Sequence, residues 1–268
     1  MKPTDFFTLA NGVTIPAIGF GTWQIPPGDV AYNAVSEALR AGYRHIDTAQ
    51  AYGNEASVGK AIIDSGIPRS EIFVTSKLPA EIKSYEKAVR HAELTMKNIG
   101  LDYIDLYLIH APWPWTEIGT DYTRENIEVW KAMEEFYESG KTRSIGISNF
   151  SVKDIDAILE NSRINPMVNQ IKLHIGHRQQ EITAHNRKNV ILVEGYSPLA
   201  TGRLLDNGEI IRIAEKYGKS VAQVSVRYVL QKGALPLPKS VHPEYIRQNF
   251  DVGFEISEDD IRSLDSLK

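Results

Sequence analysis

Four side chains in this sequence have the types and spacing to move a proton together: Asp47, Tyr52, Lys77 and His110. Asp47 ends the short run His45-Ile46-Asp47. A carboxylate at the end of a buried strand is costly unless a cation meets it. Lys77, near the end of the apolar run Ile72–Leu78, is the partner available. Tyr52 follows Asp47 by five residues in a turn of small residues. A free phenol titrates at about 10, too high for easy proton exchange near neutrality. An ammonium within hydrogen-bond reach favours the phenolate and lowers that value. The expectation is therefore a Tyr52 made acidic by Lys77, with Asp47 keeping the lysine charged and oriented. Such a phenol protonates an oxygen that is gaining negative charge. His110, ending the run Leu106–His110, reads as a donor aimed at that same oxygen. Singly, Asp47 with Lys77 is also what a structural ion pair looks like, and His110 what a satisfied core histidine looks like. Their convergence favours chemistry.

That convergence needs strands whose ends meet. Asn11-Gly12, between Phe7-Thr8-Leu9 and Val13-Thr14-Ile15, signals a type I′ hairpin. Strand and helix patterns then alternate. Ala17–Thr22 reads as a strand, and Asp29 as the N-cap of a helix with Ala31, Ala34, Val35, Ala38 and Leu39 on one face. Further strands fall at Ile46-Asp47, Ile72–Leu78, Leu106–His110, Ser144–Asn149, Val168–Ile171, Ile191–Tyr196 and Leu235–Ser240. Helices are expected over Glu55–Ser65, Tyr85–Ile99, Arg124–Ser139, Val152–Glu160, Gln179–Lys188, Ile210–Tyr217, Val221–Lys232 and Glu258–Leu267. No strand leads into G-x-G-x-x-G, which counts against a doubly wound dinucleotide fold. The α/β pattern instead points to a (β/α)₈ TIM barrel over residues 1–268 as one domain, its bottom closed by the N-terminal β-hairpin. In such a barrel the carboxyl ends of the strands form the active mouth. Here those ends carry Trp23, Asp47, Lys77, His110, Ser148-Asn149, Gln170, Tyr196 and Lys239-Ser240.

Composition narrows the classes. The 268 residues include no cysteine, which excludes disulfides, thiol catalysis and thiolate metal sites. A net charge of −4 gives no sign of a nucleic-acid or anionic-membrane partner. No leader-like or bilayer-length apolar run is present, so a cytoplasmic protein is expected, monomeric or weakly self-associating. His45 lies two residues deeper than Asp47, and no carboxylate–histidine cluster suggests a metal.

Over essentially its whole length the chain resembles the aldo-keto reductase family, in a short, prokaryote-like form. The resemblance is carried by Gly42-Tyr43-Arg44-His45-Ile46-Asp47-Thr48-Ala49 with Tyr52-Gly53-Asn54-Glu55, and by Gly146-Ile147-Ser148-Asn149-Phe150. Tyr196-Ser197-Pro198-Leu199 and Leu237-Pro238-Lys239-Ser240 add to it. The family's catalytic tetrad falls on Asp47, Tyr52, Lys77 and His110. The resemblance implies hydride transfer from NADPH, with NADH also accepted, to a small carbonyl substrate. It implies that Ser148, Asn149 and Gln170 hold the nicotinamide carboxamide, and that Tyr196 stacks on the ring. Gly21, Thr22 and Trp23 would line the end of the first strand. Ser197 and Leu199 would approach the pyrophosphate, and Lys239, Ser240, Val241, Tyr245, Gln248 and Asn249 the adenosine phosphate. Trp23, Tyr52, His110 and Trp113 would face the substrate.

Three features depart from the family pattern. Tyr245 stands where an arginine is usual, which removes a charge, and helical spacing would turn Arg247, two residues on, toward a different side. Lys172 stands where a glutamate is common. The sequence stops at Lys268, where larger relatives carry a tail over the substrate site, so an open pocket suited to small aldehydes, dicarbonyls or keto sugars is expected. Two other functions fit a barrel with such residues: a Schiff-base lyase or aldolase using Lys77, and a non-catalytic, coenzyme-binding accessory subunit.

Overall fold

In the computed structural model, which describes residues 1–267, two strands form a hairpin and eight form a parallel sheet. The hairpin pairs β1 (Phe6–Thr8) with β2 (Thr14–Pro16). The sheet runs β3 (Phe20–Gly21), β4 (His45–Asp47), β5 (Phe73–Leu78), β6 (Leu106–Ile109), β7 (Ile145–Ser148), β8 (Val168–Lys172), β9 (Leu192–Tyr196) and β10 (Leu235–Leu237) in sequential order. Gly19 N–H donates to Pro236 O at 3.1 Å and Gly21 N–H to Pro238 O at 3.0 Å, joining the first sheet strand to the last. The expected (β/α)₈ barrel is therefore the observed one.

Helices link successive strands: α1 (Asp29–Ala41), α2 (Glu55–Asp64), α3 (Tyr85–Ile99), α4 (Thr123–Glu138), α5 (Val152–Asn161) and α6 (Gln180–Lys188). Two, α7 (Gly208–Tyr217) and α8 (Val221–Gln231), lie between β9 and β10. Then come α9 (Pro243–Phe250) and α10 (Glu258–Ser266). Their boundaries follow local chemistry. Reciprocal capping boxes start α5 (Ser151 with Asp154) and α8 (Ser220 with Gln223). Among the described residues, no helix is long and apolar enough to cross a membrane.

Several local expectations change. The hairpin turn is not type I′, because only Gly12 has a positive φ, +84°. Gly12 N–H donates to Leu9 O, and Leu9 and Val13 flank a three-residue loop that ends in this left-handed glycine. Asn11 is spent elsewhere: its Nδ2 donates to Arg143 O at 2.9 Å, which pins the hairpin under the amino ends of the strands. Gly28, not Asp29, caps α1; Asp29 is the first helical residue, where its charge faces the positive end of the helix dipole. The first sheet strand is only Phe20–Gly21, and β10 stops at Leu237, since Pro236 and Pro238 cannot donate to a ladder. Helix α9 was not expected; its sequence mixes Pro243, Glu244, Arg247, Gln248 and Asn249 around one fully buried apolar residue, Ile246.

Strands β4 to β7 are buried at every position, as a sheet covered on both faces must be. Inside the barrel a polar pair, His45 Nε2 to Thr75 Oγ1 at 2.9 Å, underlies the Asp47 and Lys77 layer. Outside, α2 crosses the end of α3 at Gly59, where an added Cβ would sit 1.7 Å from Ile99 O. Gly59→Ala is expected to lose a net 1–2 kcal/mol, roughly, the clash outweighing the gain in helix propensity. Thermal unfolding checks this: Tm should fall by several degrees. An unchanged Tm would mean that the two helices part freely. Because α2 starts just after Tyr52, the same packing steadies the turn that carries the phenol.

Candidate active site

The carboxyl ends of the barrel strands surround a cavity of about 810 Å³. At its floor Lys77, fully buried, donates to both oxygens of Asp47 at 2.8 Å and to Thr48 O at 2.9 Å. The same amine lies 3.4 Å from the Tyr52 hydroxyl. Its three N–H groups are thus shared among a carboxylate, a carbonyl and a phenol, which fixes its direction. Burial alone lowers the lysine pKa, but Asp47 and Tyr52 raise it further, so the group stays an ammonium above the usual lysine range. The expectation for Tyr52 needs correction. Burial raises the phenol pKa most; Lys77 lowers it and Asp47 raises it, and the net direction is up. Lys77 offsets the cost of burying a phenolate without cancelling it.

Tyr52 is held by a one-turn 3₁₀ segment, Gln50–Tyr52, closed by Gly53 in the left-handed region. Asn54, fully buried, ties that turn to its surroundings. It accepts from Thr48 Oγ1 at 2.8 Å and donates to Thr22 O and Ile25 O, each at 3.0 Å. Glu55 then accepts from Ser76 Oγ at 2.6 Å. The run Tyr52–Glu55 is a mounting bracket, a role that spacing alone did not reveal. His110 follows β6, its ring edge-on to Tyr52 at 5.5 Å. Burial, then Lys77, drives its pKa down to about 3, so its ring is neutral.

Opposite this group, Gln170 faces two carboxylates: its Nε2 donates to Asp47 Oδ2 at 2.9 Å and to Glu194 Oε2 at 2.7 Å. With both N–H groups used inward, the amide oxygen is the end left for the cavity, which Gln170 lines. Ser148 Oγ donates to Gln170 O, and Asn149 Nδ2 donates to His110 O and Ser148 Oγ. Asn149 Oδ1 accepts from the Tyr196 hydroxyl at 2.8 Å, which sets the tilt of that ring over the cavity. Among the described residues, four of the seven non-glycine positions with positive φ, Gln24, Asn149, Ser197 and Thr201, line this cavity. Backbone strain gathers where a site is held in shape.

Of the remaining expected residues, Gly21, Trp23, Ser197, Leu199 and Lys239 also line the cavity. Thr22 does not; it is fully buried and bonds Asp47 O. Trp113 is displaced from the wall by Trp115, on which it packs at 5.2 Å, and Trp115 is the ring set against His110. Ser240, Val241, Tyr245, Gln248 and Asn249 lie beyond Lys239, on the loop after β10 and on α9. Tyr245 is half exposed and edge-on to His242. Asn249 is buried with its Oδ1 unpartnered. Arg247 is no substitute for the missing arginine, because it is tied to Glu37 on α1. Glu194 was overlooked, although a lone acid in Ile191-Leu192-Val193-Glu194-Gly195-Tyr196 was the available signal.

A buried, proton-handling cluster at the carboxyl mouth of a (β/α)₈ barrel is the layout of a barrel enzyme. A profile of the aldo/keto reductase family matches residues 17–268. Glyoxal reductase from Bacillus subtilis (strain 168) is 41% identical over 264 residues, 98% of this chain and 92% of that protein. An aldo/keto reductase from Brucella melitensis superposes with a TM-score of 0.93 at 40% identity, covering 100% of this chain and 99% of the other. An aldo-keto reductase from Bombyx mori, solved in complex with NADP, gives a TM-score of 0.88 at 33% identity, covering 99% and 93%. The chain belongs to the aldo/keto reductase family, oxidoreductases of carbonyl groups that use nicotinamide coenzymes.

Proposed function

We propose that this protein reduces aldehydes and ketones to alcohols with a nicotinamide coenzyme, Tyr52 donating the proton. The observation that carries the reading is the 3.4 Å approach of the Lys77 amine to the Tyr52 hydroxyl at the cavity floor. When bound, the reduced coenzyme supplies the hydride. This chain's residues do the rest. Tyr52 keeps its proton until the carbonyl oxygen gains charge, then gives it up, and Lys77 meets the phenolate that forms. His110, neutral, donates an N–H to the same oxygen without competing as an acid. Lys77 stays protonated beside Asp47, which supports this scheme over a Schiff base, since only a free amine attacks a carbonyl.

The cavity suits the coenzyme. The Gln170 oxygen is the acceptor a carboxamide N–H₂ needs, with Ser148 and Asn149 beside it and the Tyr196 ring as a platform. The backbone of Ser197 and Leu199 would follow the pyrophosphate, with Gly21 and Trp23 across the cleft. Lys239 is the cation for a ribose phosphate, with Ser240, Val241, Gln248 and Asn249 completing that end. Lys239 supports NADPH as coenzyme, and neutral Tyr245 supports acceptance of NADH as well. Tyr245→Arg should raise the NADPH/NADH ratio of kcat/KM by about ten-fold or more, the size of one charge-assisted phosphate contact. An unchanged ratio would show that position 245 does not read the phosphate.

Trp23 and Trp115 stand half exposed at the mouth and favour small aldehydes, dicarbonyls or keto sugars. The glyoxal reductase relative supports the dicarbonyls. A spectrophotometric screen of these three classes, following loss of the reduced nicotinamide with each coenzyme, tests the reading. Turnover with none of them would sink it.

A further inference from the structure

Glu194 is a buried acid to which the reaction above gives no task. It sits on β9 inside the barrel, with no exposed surface, opposite Leu235 of β10 in register. Oε2 accepts from Gln170 at 2.7 Å, and Oε1 has no partner. The groups facing it are Gln170 on β8, Asp47 on β4 and Lys77 on β5. His45 lies deeper on β4, and burial followed by Lys77 drives its pKa down to about 3, so it stays neutral.

One hydrogen bond does not satisfy an ionised carboxylate in a dry interior. Burial first, and Asp47 second, push the Glu194 pKa up to about 8, so at neutral pH it is held mainly as the acid. That state balances the cluster, with Asp47 negative, Lys77 positive and Glu194 neutral. Gln170 is the partition between the cavity and Glu194: the cavity lies on one side of its amide and Glu194 on the other, while Asp47, which also bonds the amide, reaches the cavity wall itself. A positive charge arriving on the cavity side would favour the ionised form of Glu194.

We propose that Glu194 is the counter-charge for the oxidised nicotinamide ring, losing its proton when the oxidised coenzyme binds and regaining it when the reduced one does. This rests on the coenzyme reading given under Proposed function. Only the O–H bond of Glu194 breaks; the proton passes to solvent, and the carboxylate left behind offsets the charge of the ring. Glu194 touches neither substrate nor coenzyme and acts through Gln170, so it is a positioning residue. The sign follows by linkage. Rising pH favours the ionised form, so the oxidised coenzyme binds more tightly as pH rises toward 8, while the reduced one, with its neutral ring, is indifferent.

Calorimetric titration of the full chain in buffers of different ionisation enthalpy counts the protons. At pH 7 the oxidised coenzyme should release between about one half and one proton per site, and the reduced coenzyme almost none. Its Kd should fall roughly ten-fold from pH 6 to pH 8. Glu194→Gln should abolish both the release and the slope, and Tyr52→Phe should keep both. Binding of the oxidised coenzyme to wild type without proton release overturns the proposal alone, and this measurement stands even if Glu194→Gln does not fold. Equal release in Glu194→Gln, or its loss in Tyr52→Phe, assigns the proton elsewhere and also overturns it. If neither coenzyme binds wild type, the coenzyme reading fails together with the proposal.

Discussion

Tyr52→Phe should lower kcat for aldehyde reduction by about 10²–10⁴-fold, the usual worth of a positioned proton donor, while coenzyme affinity and Tm hardly move. The loss is chemical because the phenol supports little else. Without its hydroxyl, Lys77 still donates to Asp47 at 2.8 Å and to Thr48 O at 2.9 Å, so no buried charge is orphaned. The ring remains, and with it the edge contact to His110. His110 cannot stand in as the acid, because burial holds it as neutral imidazole, a far weaker proton donor than imidazolium. Steady-state kinetics on the purified variant, with coenzyme binding measured in parallel, decide the matter. Near wild-type turnover would remove Tyr52 from the reaction, and an equal fall in coenzyme affinity would make its role one of binding.

The raised pKa of Tyr52 marks where reading residues in a line stops short. Asp47, Tyr52, Lys77 and His110 were legible because strand ends announce themselves: an apolar run, then a polar residue with no reason to be buried. Their convergence follows from barrel closure. The balance of forces on the phenol was not legible, since the desolvation that outweighs the ammonium depends on how many atoms from other strands enclose it. Glu194 was missed for a related reason: a single acid in a strand looks like an outward-facing residue until the register sets it behind Gln170. Helix α9 was missed because most of its positions are solvated and it docks on the barrel chiefly through Ile246. Trp113 and Trp115 are two residues apart in an irregular loop, where no periodicity says which ring faces inward.

Lys77→Met separates what this amine does for folding from what it does for the reaction. Lys77 and Asp47 are almost completely removed from solvent, with side-chain exposures of 0% and 5%. Removing one partner of such a pair typically costs about 3–5 kcal/mol, because the other charge is left buried. Asp47 keeps only the Gln170 Nε2 bond, at 2.9 Å, on one of its oxygens. Its cheapest response is to hold a proton, so its folded-state pKa rises above the unfolded value. A carboxyl raised in this way contributes stability at low pH and loses it as pH climbs through the raised value. The gap in unfolding free energy between wild type and Lys77→Met should therefore be smaller at pH 5 than at pH 8. Adding Asp47→Asn removes the stranded charge and should recover at least about 2 kcal/mol of the loss at pH 8, the signature of two coupled sites. Turnover should not recover, because neither variant supplies a cation to the Tyr52 phenolate. Urea unfolding of the two single variants and the double variant reads the coupling. Strictly additive losses would show that the carboxylate and the amine stand independently in the barrel, and recovery of activity in the double variant would show that the phenol never needed the ammonium.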